Sequence, residues 1–543
     1  MPLKRQHDSV VLTPAETLLT EILLDCKQHL AGHQMSTAAE LQILVNGEWV
    51  RNKLLGIPTT RLKIGLSTMV GTEFGDFVNS FYHDNRLKYQ TRALDLQVQN
   101  TDFSEFKRVD DRSNAKKAFR KSTASVFGLA ITLIHLHKDE FEDDERRDES
   151  DWWSQFGTPE DDALMADCTI SALFYDVEKQ QVLDPLEQGL ADLDAGVLRT
   201  PMEEWDSFWD EPVRVLRLIR FAAELGFSID QDTKDGMMHP KTMGRVSSRV
   251  ERASIANELS LMMKSSNPEQ AFDLIYELGF YDLIFLNPES TLQRDVYAQY
   301  RPSGEGTPSF LKSWPQVYQS ILALKDDAGS NIGQIIREQT NFTLPWLLAS
   351  YAPVADLRHN KLGTVVKGIT NALNMSREVT KLFDSALTNL DSIREMVDLI
   401  NKVTDGDLPR SILGMQIRNW GADWQLQVLY ALLAELSAQS PANSPQLPSK
   451  YDDNAMDKAS VAKYDKFLAF VEEQNLQRAY AMRPLLNGLE IKETLGDWVD
   501  GKAITAVGSR LAAWQFDNPR SDEDDAKAWL RQQRGTLQIR TQQ

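Results

Sequence analysis

Arg61 and Lys63 stand two residues apart in the run RLKIGL, residues 61–66. Alternation of polar and apolar residues is the pattern of a half-buried strand. Leu62, Ile64 and Leu66 then share one face, and Arg61, Lys63 and Gly65 share the other. The two cations lie about 7 Å apart. Guanidinium and ammonium groups are good phosphate ligands, and what this pair does is the main question about the chain. A second set lies in EPVRVLRLIRFAAELGF, where Arg214, Arg217 and Arg220 cluster on one side of a helical wheel. Val215, Leu218, Ile219 and Ala222 lie roughly opposite. Such a helix packs on a core while offering guanidiniums to a ligand, or it carries a merely solvated face.

Other reactive residue types have plainer readings. Residues 139–151, DEFEDDERRDESD, hold nine acids against two arginines and read as a solvated loop. His135 and His137 share a strand face without a third ligand in register, so they read as strand residues and not as a metal pair. Trp152 and Trp153 could stack on bases, but packing under a loop is the better explanation. Cys26 and Cys168 are the only cysteines and read as reduced, buried thiols. Cys168 has no basic partner nearby in sequence and is expected to be a core residue.

The elements that position these residues follow from periodicity. Residues 13–30 predict an amphipathic helix with Thr13 as N-cap and Pro14 in its first turn. LQILV (41–45) predicts a strand, Gly47 opens a helix through Leu55, and RLKIGL returns as strand. LDLQVQ (94–99) and the long run SVFGLAITLIHLH (125–137) predict further strands. Thr158-Pro159-Glu160 marks a helix start, and ISALFYD returns to strand. From Glu211 the chain turns helical, with Pro212 in the first turn and Gly226 as the stop. RPSGEGTPS (301–309) and SAQSPANSPQLPSK (437–450) read as breaks between helical parts.

Composition narrows the function classes. The chain has 543 residues, 42% hydrophobic and 25% charged, with a formal net charge of −20. That length predicts two to four domains. The negative balance excludes non-specific adhesion to nucleic acid, so any RNA binding needs a local basic patch. No apolar run reaches the ~20 residues of a membrane span. The N-terminal residues have neither a signal-peptide core nor the acid-poor, Arg-rich character of a transit peptide. The cytosol or nucleus is the expected compartment, with the mitochondrion open.

Together these pieces resemble the eukaryotic class II tRNA nucleotidyltransferases, the CCA-adding enzymes. The likeness begins at LQILVNGEWVRNKLLGIP and continues through VFGLAITLIHLH and FGTPEDDALMADCTISALFYD. It is fullest at VLDPLEQGLADLDAGVLRTP and DEPVRVLRLIRFAAELGF, and NPEQAFDLIYELGFYDLIF matches the family's neck. The resemblance implies an α+β fold: a small mixed sheet with helices, followed by an all-α neck, body and tail. The corresponding divisions are an N-terminal extension (1–35), a nucleotidyltransferase-like head (36–185), a neck (186–290), a body (291–436) and a tail (437–543). It also implies tRNA 3′ ends, CTP and ATP as ligands, and Mg²⁺ as cofactor.

The family places an Asp-x-Asp on a strand to hold two Mg²⁺ ions that activate the 3′-hydroxyl and stabilise pyrophosphate. That pair falls on Arg61 and Lys63, and the further carboxylate falls on Ala130 or Thr132. No intact catalytic residue and no metal ligand is therefore expected, and no cofactor. The nucleotide-binding positions of the family fall on Gly47, Arg51, Asp167, Glu211, Arg214 and Arg217. Several are altered: Gly-Gly reads Gly47-Glu48, Val-Arg-Asp reads Val50-Arg51-Asn52, and Arg-Arg-Asp reads Met165-Ala166-Asp167, with Ser171 where Asn is usual. Glu211 replaces an aspartate that reads the base edge, moving its carboxylate by about 1 Å. The implied protein is a family member whose CCA addition is impaired or lost. Arg61, Lys63 and Arg51 then either form a metal-free anion site or line a vestigial pocket. An interaction protein using its helical C-terminal half as a partner platform is the alternative.

Overall fold

The computed structural model describes residues 10–541 apart from 34, 110–120, 139–155, 288–291, 295–310, 312–313, 341–342, 404–407, 440–456, 497–498 and 500. The acidic run 139–151, Trp152, Trp153 and the break at 301–309 lie outside the described residues, as does most of the break at 437–450. The chain divides into two compact units. One comprises residues 1–250 with 265–271, the other residues 251–264 with 272–543.

The first unit opens with helix α1 (Pro14–Gly32), whose N-cap Thr13 and Glu16 form a reciprocal capping box. Leu18, Leu19, Ile22, Leu23 and Cys26 are fully buried along one side of it. Glu16 itself is only 1% exposed. Its carboxylate accepts from Trp49 Nε1 at 2.7 Å and from Lys53 Nζ at 2.6 Å. Those donors stand on α3 (Glu48–Leu55), which follows α2 (Ser36–Ala39) and strand β1 (Ile43–Asn46). Strand β2 (Arg61–Leu66) and helices α4 (Gly71–Asp84) and α5 (Arg86–Asp95) come next. Gly71 lets α4 lie directly on the sheet, because a Cβ there would sit 2.1 Å from the Leu133 carbonyl oxygen.

Strands β3 (Lys107–Arg108), β4 (Ser122–Val126), β5 (Leu129–His135), β6 (Phe174–Asp176) and β7 (Gln181–Leu183) complete a seven-stranded sheet of order β3-β4-β5-β2-β1-β6-β7. β2 is parallel to β5 and antiparallel to β1, so it sits near the centre of a mixed sheet. Helix α6 (Pro159–Leu164) precedes β6. Then come α7 (Gly189–Ala195), β8 (Val197–Leu198), α8 (Glu204–Asp210), α9 (Arg214–Leu225), β9 (Ser228–Ile229), α10 (Gln231–Met238) and α11 (Pro240–Arg249). β8 and β9 form a separate parallel pair.

Three sequence expectations are corrected here. LDLQVQ is not a strand: α5 runs through Asp95, burying Tyr89 and Ala93, and the chain then turns at Gln97 with φ 57°. The run 125–137 is not one strand but part of the β4–β5 hairpin. Phe127 and Gly128, at φ 55° and 81°, make the turn, and two successive positive φ values suit a tight two-residue hairpin. The helix expected from Glu211 begins at Arg214, because the Glu211-Pro212-Val213 corner joins it to α8.

Among its described residues the second unit contains helices and no strand. Its core gathers Tyr281, Phe285, Trp314, Tyr318, Trp346 and Tyr351, all buried. Arg252 ties three of its carbonyls together, donating to Leu283, Ile284 and Ala372. A separate cluster around Leu495, Val507, Leu511 and Leu530 serves the last helices. Among the described residues no helix is long and apolar enough to cross a membrane.

Candidate functional site

β2 carries Arg61 and Lys63 outward while Leu62 and Ile64 are at most 2% exposed, as the alternation demands. The register sets Arg61 beside Ala130, and Lys63 between Thr132 on β5 and Asn46 on β1. One row across the sheet therefore reads Lys107, Thr123, Thr132, Lys63, Asn46. Neither β2 nor β5 contains a carboxylate. Among the described residues no group of three or more His, Cys, Asp or Glu is placed to hold a metal ion. A Mg²⁺ ion requires hard oxygen ligands, and the donor set of this face, two cations and a hydroxyl, does not suit it.

One carboxylate does approach Lys63, and it was not singled out from the sequence. Asp162, on α6, is 8% exposed. It accepts from Asn46 Nδ2 at 3.0 Å and from the His137 backbone N–H at 3.2 Å, with His137 Nδ1 also at 3.2 Å. Burial opposes its ionisation, but the His137 hydrogen bonds and the Lys63 charge outweigh it and hold the carboxyl below its usual range. Asn46 in turn accepts from Gly65 N–H at 3.1 Å. Gly65 is required there, since a Cβ would lie 2.8 Å from Asn46 Oδ1. Asp162 is thus engaged with its own surroundings. His135, 4% exposed, lies with its ring centroid 4.6 Å from that of His137, so this pair is built into the head.

Four of the expected nucleotide-binding residues come together at a second place. Arg217 Nη1 donates to Asp167 Oδ1 at 2.9 Å and lies 3.0 Å from Glu211 Oε1. Arg214 Nε is 3.6 Å from the same Asp167 oxygen, and its Nη2 is 3.9 Å from Glu211 Oε2. Two carboxylates therefore face two guanidiniums. Arg214 is 1% exposed, which corrects its expected place on a ligand-facing stripe. It donates to the Ser207 carbonyl at 2.9 Å and the Met165 carbonyl at 2.5 Å, bracing α8 and the turn after α6. Arg217 and Glu211 remain half-exposed, and Arg220 pairs with Glu224 one turn along α9.

Arg51 stands in a third environment. It is 3% exposed, and its guanidinium lies 5.0 Å from the Phe221 ring centroid. Nε and Nη2 both donate to Asn52 Oδ1, at 3.1 and 3.0 Å, while buried Nη1 makes no hydrogen bond. No described contact joins Arg51 to Arg61 or Lys63. Burial raises the Cys168 thiol to about 11 despite its hydrogen bond to Ser171 and the Arg51 charge. Gly47 opens α3 at φ 62° and ψ −114°, a backbone region that only glycine adopts freely. A Cβ there would sit 3.0 Å from the Ser171 carbonyl oxygen.

Residues 43–199, which contain β2, Asp162 and Asp167, match the family model described as the poly A polymerase head domain. Over 542 residues the chain is 26% identical to the mitochondrial CCA tRNA nucleotidyltransferase of Saccharomyces cerevisiae, covering 95% of this chain and 92% of that one. Over nearly its whole length the chain is thus similar to tRNA nucleotidyltransferases. Nucleotidyltransferase lcsQ of Purpureocillium lilacinum is 28% identical over 578 residues, covering 96% of this chain and 91% of that protein. The Thermotoga maritima CCA-adding enzyme complexed with tRNA has the same fold, with a TM-score of 0.55 over 94% of each chain at 15% identity. Within the matched span, Arg61 and Lys63 stand on the outward face of a central strand.

Proposed function

We propose that this protein keeps the tRNA nucleotidyltransferase framework but has lost, or nearly lost, metal-assisted CCA addition. The observation that carries the proposal is the outward pair Arg61 and Lys63, set beside Ala130 and Thr132 with no carboxylate on either strand. Replacing metal ligands by cations does more than remove affinity. A charge pair 4 Å apart at an effective dielectric of 20 interacts by about 4 kcal/mol, and doubly charged metals would feel more. Asp162 does not replace the missing ligands, because Asn46 and His137 already engage both of its oxygens.

In this reading Arg61 and Lys63 offer their charge directly to a phosphate, without an intervening ion. Lys63 is accompanied by the Asp162 charge, which Asn46 and His137 already engage. Glu211, Arg214, Arg217 and Asp167 form a self-compensated cluster, and Arg217 and Glu211 are the members that a base could reach. The S. cerevisiae relative is described as mitochondrial, which makes the mitochondrion the first compartment to examine.

The test is extension of a tRNA lacking its terminal CCA, with CTP, ATP and Mg²⁺, beside the S. cerevisiae relative as positive control. Extension should be absent or slower by several orders of magnitude. Robust extension would overturn the proposal. Titrating ATP and CTP in EDTA then separates a phosphate site, whose binding Arg61→Ala/Lys63→Ala abolishes, from a vestigial surface that binds neither.

A further inference from the structure

A different surface of the first unit combines aromatic rings with uncompensated cations. Trp205 and Trp209 stand one turn apart on α8, with ring centroids 4.9 Å apart. Lys241, Arg245 and Arg249 recur every four residues on α11, a spacing that puts them on one side of a helix, about 6 Å apart along its axis. The two sets interdigitate. The Arg245 guanidinium lies 3.7 Å from the Trp209 ring centroid, and Lys241 Nζ lies 5.2 Å from that of Trp205. The His239 ring meets Trp205 edge-on, with centroids 5.5 Å apart.

Cation–π contact alone would explain a pair that fastens two helices, but three further facts go beyond fastening. Trp209 is 45% exposed, a large apolar area to leave in water. Arg245 Nε is buried and makes no hydrogen bond. Among the described residues none of the three cations has an ion-pair partner, in a chain of net charge −20. Asp210 attracts Arg245 only from a distance, while burial and the Arg249 charge both work against its ionised form. A row of cations beside an exposed indole is what single-stranded nucleic acid requires, since phosphates follow the charges and a base stacks on the ring. An acidic peptide would use the cations but leave Trp209 in water.

We propose that Trp209, Arg245, Lys241 and Arg249 form a binding platform for unpaired RNA. Trp209 stacks on a base, Arg245 backs the ring from its other side, and Lys241 and Arg249 contact phosphates. The platform leads toward the charged cluster, because Trp209 lies two residues before Glu211 and Ser207 accepts from Arg214. The choice of RNA rests on the family reading; the stacking geometry does not.

The experiment uses the full chain, a fluorescein-labelled twelve-nucleotide RNA without secondary structure, and EDTA throughout. Anisotropy should show saturable binding, accompanied by tryptophan quenching. Trp209→Ala and Arg245→Ala should each weaken it roughly tenfold, with Trp209→Phe recovering most of the loss. Lys241→Ala and Arg249→Ala should each lower the salt slope by about 0.7. Thermal melting of each variant separates lost contacts from lost folding. Absence of binding overturns the proposal, and so does equal binding by inorganic polyphosphate, or wild-type affinity in well-folded Trp209→Ala and Arg245→Ala. Should tRNA still bind normally to those two variants, the platform fails while the family reading stands.

Discussion

Replacing Arg214 by leucine separates a bracing arginine from a ligand-binding one. Arg214 is 1% exposed and makes two short hydrogen bonds to backbone carbonyls, those of Ser207 and Met165. Hydrogen bonds from a charged donor contribute about 1.5–3 kcal/mol each, and a carbonyl left buried without a donor is penalised further. Leucine regains part of this through apolar burial and removes a buried charge. The balance is a loss of about 3–4 kcal/mol, between two and three orders of magnitude in the local opening equilibrium. Arg217→Leu is the comparison: Arg217 is 30% exposed, and its pairs with Asp167 and Glu211 contribute no more than about 1 kcal/mol. Native-state hydrogen exchange across α8, α9 and residues 163–167 measures both, without assuming that the two units unfold together. Equal protection in the two variants would refute the reasoning. So would a loss confined to nucleotide affinity with exchange unchanged.

Two further predictions concern titrating groups. The Asp162 carboxyl is depressed in the folded protein, so its ionised form adds stability above its unfolded value of about 3.9, and that contribution is lost as pH falls through the lower folded value. Denaturant midpoints of the wild type and Asp162→Asn should therefore differ at neutral pH and converge below about pH 4; a constant gap would show that the charge is irrelevant. Burial pushes Cys168 to about 11 and Cys26 to about 12, so both thiols should resist iodoacetamide at pH 8 until the chain is unfolded. Rapid labelling of the native protein would contradict their burial.

How much was legible depends on whether the signal was local. The β2 strand could be read from strict alternation, and α1 from Thr13, Pro14 and a one-sided apolar pattern, because each signal is complete within its own segment. The LDLQVQ misreading arose from an alternation too short to outweigh the helical span before it. Arg214 shows a different limit. A helical wheel places it beside Arg217, but its burial depends on α8 folding back over it, which no property of residues 214–225 announces. Asp162 was missed for a similar reason. It stands among three successive carboxylates at a helix start, PEDDA, and only the arrival of Asn46 and His137 from distant segments distinguishes it. The Trp209–Arg245 pair spans two helices and had no contiguous pattern to find.

The buried carboxylate of Glu16 has a practical consequence for dissecting the protein. The match to the head-domain family model starts at residue 43, whereas α1 ends at residue 32. An excised 43–199 fragment would leave Trp49 Nε1 and Lys53 without their acceptor, and uncover the surface that Leu18, Leu19, Ile22, Leu23 and Cys26 close. Five such side chains represent several kilocalories of hydrophobic burial. The matched domain and the folding unit therefore have different borders in this chain, and a soluble head fragment should begin before Thr13.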